Sequence, residues 1–152
     1  MKSLGRDLAA EIHAAYAAAS TAATAAGAGD NTEVTGVTID LLALPTRYES
    51  LSFVLAATST LAATKTLTVA AKIETSDNSD MSSASDLVAS ATVLTLTGAA
   101  GGSTERGTAK VGSSLEYAKR YLRIKFTPDL SATATDTAVV QSVALFGGAA
   151  KL

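Results

Sequence analysis

Tyr121-Leu122-Arg123-Ile124-Lys125-Phe126, inside the run 119–127, places Leu122, Ile124 and Phe126 on one side of an extended chain and Tyr121, Arg123 and Lys125 on the other. Side chains alternate across a strand with a period of two, so this run predicts a strand with one face in a core and the other in water. Pro128-Asp129 is read as its end, because proline cannot donate to a ladder. Two upstream runs repeat the device. Over 49–57, Leu51, Phe53, Leu55 and Ala57 alternate with Ser50 and Ser52, and over 65–74, Leu67, Val69, Ala71 and Ile73 alternate with Thr66, Thr68 and Lys72. Together these predict one core of Phe53, Leu55, Leu67, Val69, Ile73, Leu122, Ile124 and Phe126.

Further strand-like runs fill the spaces between them. Val34, Val37 and Ile39 lie in a run that closes at Leu44-Pro45, and Val93, Leu94 and Leu96 lie in 88–97. Less regular runs cover 106–111 and 113–117. The run 136–146 is apolar on both parities, with Val139, Val143 and Leu145 on one and Ala138, Val140, Ala144 and Phe146 on the other. Such a strand is central to the packing or covered on its outside by another subunit. Seven or eight short strands separated by Ser, Thr, Gly and Asp turns predict an all-β fold, an antiparallel β-sandwich of the jelly-roll kind.

Residues 1–32 differ in composition. Leu4, Leu8, Ile12 and Tyr16 recur every fourth residue and predict a short helix over 3–16. From Ala17 to Gly29 the chain is Ala, Ser, Thr and Gly without a large apolar anchor, and 17–32 reads as an extended arm or an edge strand. The chain therefore divides into an N-terminal arm, 1–32, and a sandwich domain, 33–152. The arm is expected to be separable, ordering against a partner, because nothing in it offsets the entropy of ordering.

Composition excludes several function classes. The chain has 152 residues, 17% of them charged, and a formal net charge of −2, which does not suit phosphate neutralisation by a nucleic-acid binder. It has no cysteine for a disulfide framework or thiolate metal site. No apolar run of the length of a membrane-spanning helix occurs. Acidic and His residues interrupt the N-terminal stretch, which argues against a signal peptide.

Candidate sites are few. Asp77, Asn78 and Asp80 offer oxygen donors, but lack calcium-loop spacing and read as turn residues capping their own backbone. His13 is the one imidazole and has no nucleophile–base pattern about it. Gly98, Gly101 and Gly102 lack the Lys-Ser/Thr of a phosphate loop. No catalytic, cofactor-binding or metal-binding residue is assigned, and no enzyme is expected. Lys119, Arg120, Arg123 and Lys125 form a cluster of cations. Alternation groups Arg123 and Lys125 with Tyr121, a candidate contact strip for an acidic protein surface, since Tyr and Arg are enriched at interfaces.

Gly36-Val37-Thr38-Ile39-Asp40-Leu41, Lys72-Ile73-Glu74-Thr75-Ser76-Asp77-Asn78, Lys119-Arg120-Tyr121-Leu122-Arg123 and Val143-Ala144-Leu145-Phe146-Gly147-Gly148, taken in order, resemble small structural proteins of tailed bacteriophages. The resemblance covers about 33–148. It implies a jelly-roll-like capsid decoration or cement protein on the outer surface of the virion. Its implied partners are the major capsid protein and itself, as a homotrimer. A phage neck or tail component and a β-sandwich carbohydrate-binding module are the alternatives. The absence of Trp and the presence of only four Tyr leave the last without its usual aromatic platform.

Overall fold

The alternation at Leu122, Ile124 and Phe126 is realised in a central strand whose apolar parity is buried and whose Tyr-Arg-Lys parity is half-exposed. The computed structural model describes residues 11–132 and 135–149. Nine strands follow in chain order: β1 (His13–Thr24), β2 (Val34–Thr35), β3 (Ile39–Asp40), β4 (Tyr48–Leu61), β5 (Thr66–Ser76), β6 (Ser85–Thr97), β7 (Ser103–Ser114), β8 (Tyr121–Leu130) and β9 (Thr137–Ala149). One sheet, A, has the order β1-β9-β4-β7. The other, B, has the order β2-β8-β5-β6, with β3 also paired to β8.

All pairings are antiparallel, and apart from β4–β9 and β5–β8, which close the two sheets, they nest. β5 pairs β6, β4 pairs β7, β2 and β3 pair β8, and β1 pairs β9. The chain is thus a long double ribbon, folded about the β5–β6 loop and wrapped into two facing sheets. That strand order is a jelly roll, the all-β sandwich that the strand spacing predicts. The predicted core is confirmed: Phe53, Leu55, Leu67, Val69, Ile73, Leu122 and Ile124 are fully enclosed, with Phe126 beside them. Leu51, Leu61, Val111, Val140 and Phe146 complete it.

Unpaired strand edges invite association through backbone hydrogen bonds, and each free edge here is blunted. The twelve residues of β1 span fewer of β9, with bulges between Tyr16 and Ala18 and between Ala18 and Thr21. The thirteen residues of β6 likewise exceed the stretch of β5 they face, with three register shifts. Bulges bend and twist an edge away from further pairing. The β7 edge carries Glu105, Arg106 and Lys110, and β2 and β3 are only two residues each.

Two expectations are corrected, and one alternative is decided. The helix over 3–16 does not form at its end, since His13 to Tyr16 are strand; residues 3–10 lie outside the described residues. Of the two forms expected for the Ala-rich arm, it takes the edge strand, as β1 of sheet A. Ala17, Ala18, Ala23 and Ala25 are buried, because small side chains let β1 lie close over the core. The Ala17 carbonyl also accepts a hydrogen bond from the Val37 N–H, joining the edge of sheet A to the chain flanking sheet B. Finally, β8 continues through Pro128 to Leu130. The Pro128 carbonyl accepts from the Asn31 N–H, on the side away from β5, so the missing N–H of Pro128 removes nothing from the β5 ladder.

Candidate interaction surfaces

β8 and β5 bring Arg123 and Lys125 together on the outer face of sheet B, at the register Glu74–Arg123 and Lys72–Lys125. Between them lies a carboxylate that strand parity alone would leave in water. Glu74 is buried, 6% exposed, under three cations. Arg123 donates Nε at 2.8 Å and approaches with Nη2 at 2.7 Å, both to Oε2, while Lys72 Nζ sits 2.7 Å from Oε1. Lys125 Nζ is 2.6 Å from Glu33 and 3.6 Å from Glu74. Burial pushes the Glu74 carboxyl up, but the hydrogen bonds from Lys72 and Arg123 and the charge of Lys125 outweigh it and hold the group below its ordinary range. Its partner effect appears at Lys72, which the Glu74 carboxylate raises.

The predicted strip is therefore one side of an internal network. Lys72, Arg123 and Lys125 face Glu74, Glu33 and Asp86. Their charge is largely matched within the sheet, which leaves little of it for an acidic partner. Tyr121 closes the row, with the Arg120 guanidinium 4.9 Å from its ring centre. Lys119 and Arg120 do not belong to this face. They lie in the β7–β8 loop, where Arg120 forks onto Asp40 at 2.8 and 3.0 Å and Lys119 is 3.4 Å from Asp77. The Arg120 hydrogen bonds hold the Asp40 carboxyl below the usual range.

Residues 74–78 now have distinct tasks. Glu74 anchors the cations. Thr75 Oγ1 donates to the Tyr121 carbonyl and accepts from the Lys119 N–H, pinning the β7–β8 loop. Ser76 Oγ donates to the Ser82 carbonyl and accepts from the Asn78 N–H, while Asp80 accepts from the Ser82 N–H. Ser76, Asn78 and Asp80 are engaged on the loop's own backbone, as turn chemistry predicts, while Asp77 reaches Lys119. His13 packs against Tyr48, with ring centres 5.9 Å apart, and near Phe146. No group of three His, Cys, Asp or Glu able to hold a metal ion occurs among the described residues.

The outer face of sheet A was legible only in part, through the second parity of 136–146. Register aligns Tyr16 with Val143, Val143 with Val54, and Val54 with Lys110 across all four strands. The next row is Ala14, Leu145, Ser52 and Gly112. Tyr16 is 59%, Val143 46% and Val139 43% exposed, so an apolar stripe with cations only along β7 faces outward. A shallow cleft of about 630 Å³ runs along it, lined by Ile12, Ser52, Val54, Lys110 and Leu145 among others. The Ser52 hydroxyl is buried there without a hydrogen-bond partner among the described residues.

No family model matches the chain, and no curated protein matches it. Solved structures similar to it include the PBSX exported protein XepA, with 16% identity over 92% of this chain and 38% of that one, at a TM-score of 0.43. The structure of the infectious bursal disease virus Gx strain gives 14% identity over 93% of this chain and 34% of that one, at 0.46. A Clostridium thermocellum xylanase 10B, its CBM22-1 and GH10 modules complexed with xylohexaose, gives 9% identity over 88% and 25%, at 0.38. The chain spans about a third of the length of the first two. At such scores none of these likenesses bears on function, and the fold assignment rests on strand order and register.

Proposed function

We propose that this protein is a virion structural protein, a capsid decoration or cement protein that bridges coat subunits on the outer surface of a phage head. The observation that carries the reading is the outer face of sheet A. With the strand edges blunted, association is directed to a face. The row Tyr16–Val143–Val54, with Leu145 in the next row and Val139 four residues along β9, is an exposed apolar stretch of sheet A. Contiguous exposed apolar surface of this kind marks interaction sites. The sequence resemblance supplies the kind of particle and the number three for the homotrimer.

The mechanism is mechanical and needs no reacting group. A jelly roll is stiff in the plane of its sheets, and a trimer holding several coat subunits makes their separation depend on breaking all of its contacts together. Val143→Asp tests the contact. The site is exposed, so thermal stability of the isolated chain should change by no more than about 0.5 kcal/mol. Trimer formation in sedimentation, and retention on purified capsids, should both be lost. A variant that still trimerises and decorates would remove sheet A from the reading. Binding confined to neck or tail assemblies would replace the capsid by those.

A further inference from the structure

The two ends of the sandwich differ in chemistry. At one end the loops 25–33, 62–65 and 98–102, with 131–132 and 135–136, are Ala, Gly, Ser and Thr, with Asp, Asn, Glu and Lys their largest residues. At the other end the β3–β4 and β7–β8 loops present large apolar and cationic side chains. Leu42 is 75% and Tyr117 79% exposed, an unusual cost for two neighbouring loops if water is their only contact. Between the loops lies a cleft of about 470 Å³. Leu42, Leu44 and Leu115 line it with Arg47, Lys119 and Arg120, and among the described residues no Asp or Glu does.

The loops are held, so the cleft is pre-formed. The Asp40–Arg120 fork ties the β3–β4 loop to the β7–β8 loop, and the Asp40 side chain accepts from the Leu42 N–H at the start of the 3-10 turn Leu41–Ala43. The Lys119 N–H bonds Thr75, and the Leu115 N–H bonds the Glu49 carbonyl. Arg47 is exposed and has no ion pair among the described residues. The carboxylates Glu49 and Glu116 line an adjoining cleft with Arg47 and do not enter this one.

We infer that this cleft is a docking site for an acidic polypeptide segment carrying one large apolar anchor. The anchor seats against Leu42, Leu44 and Leu115, and flanking carboxylates meet Arg47 and Lys119. Lys119 is available because its pair with Asp77 is long and exposed, hence weak. Arg is among the residue types that dominate binding energy at protein interfaces, and Arg47 and Arg120 line the cleft beside its leucines. The inference does not rest on the particle reading, because its test needs no capsid.

The probe is a fluorescein-labelled dodecapeptide with a central Leu flanked by Asp and Glu, followed by anisotropy at low salt. Its companions carry Lys in place of the acids, or Ser in place of Leu, and dodecathymidylate is the polyanion control. The acidic Leu peptide should bind saturably and weaken as salt rises. The Ser peptide, and the variants Arg47→Glu and Leu42→Ser, should each weaken binding about tenfold or more. Lys65→Glu, in the exposed loop at the opposite end of the sandwich, should leave it unchanged. No saturable binding up to about millimolar peptide, equal binding of the Lys peptide, indifference to Leu42→Ser, or tighter binding of dodecathymidylate would each overturn the inference. A protein that binds the peptide yet never decorates capsids would sink only the particle reading.

Discussion

Phe126 shows how much one residue carries. It is 1% exposed, pairs with Val34 on one side and Ala71 on the other, and lies with the other core side chains of β8 between the sheets. Phe126→Ala should cost about 3–5 kcal/mol in chemical denaturation, by lost burial and the cavity left behind. A loss well under 1 kcal/mol would mean the two sheets close over the gap. Glu74 makes a different test. Its folded pKa lies below the unfolded value, so its contribution is present above an unfolded pKa of about 4.3 and fades as pH falls through the folded pKa. Glu74→Gln should cost about 1.5–3 kcal/mol near neutrality, the usual worth of hydrogen bonds to a charged group. It should also flatten the stability profile on the acid side. A wild-type profile already flat below pH 4 would show that the three cations do not hold the carboxylate in its charged form.

At the scale of the element, β1 is the instructive case. Its bulges turn Ala17 and Ala18 both inward and direct the Ala17 carbonyl to Val37. Gly36, which donates to the Ile124 carbonyl, passes through the narrow gap this creates. A Cβ there would sit 2.6 Å from the Ala17 oxygen and 2.9 Å from the Ile124 side chain. Gly36→Ala should therefore destabilise by about 1–3 kcal/mol through overpacking. An unchanged melting temperature would show that β1 floats free of sheet B. Truncation follows from the same strand. Removing 1–32 strips β1 from β9 and uncovers Val140, Ala144 and Phe146, so that chain should be unfolded or molten by near-ultraviolet dichroism. Removing 1–11 keeps β1 and should leave a cooperative unfolding transition. A cooperative fold in the longer truncation would restore the separable arm that composition suggested.

For the whole molecule, the proposed cement role sets the measurement. Capsids assembled without the protein should rupture at lower temperature, or under milder osmotic shock, than decorated ones, and added protein should restore them. Equal robustness would remove the mechanical role. The two contacts proposed above, sheet A and the cationic cleft, lie on separate surfaces of one sandwich. A bridging protein needs at least two, and the faces that supply them belong to strands distant in the chain.

Local alternation was enough to find β4, β5 and β8 and the eight core positions on them, because the parity of a strand is written in neighbouring residues. The small, uncharged composition of 17–29 was enough to suggest an extended arm or an edge strand, though 13–16 read as helix, and the turn chemistry of 76–85 was plain from Asp, Asn and Ser. What tertiary structure alone decided was non-local. Burial of Glu74 depends on Arg123, 49 residues away, arriving opposite it through the β5–β8 register. The continuation of β8 through Pro128 depends on which way one carbonyl points. The apolar row on sheet A requires β1, β9, β4 and β7 to lie side by side, and the cleft at the loop end requires Asp40 to find Arg120 across 80 residues. Alternation tells a strand which side is apolar. Which strand stands beside it, in what register and with which loops at its end, is settled by the closing of the double ribbon into two sheets.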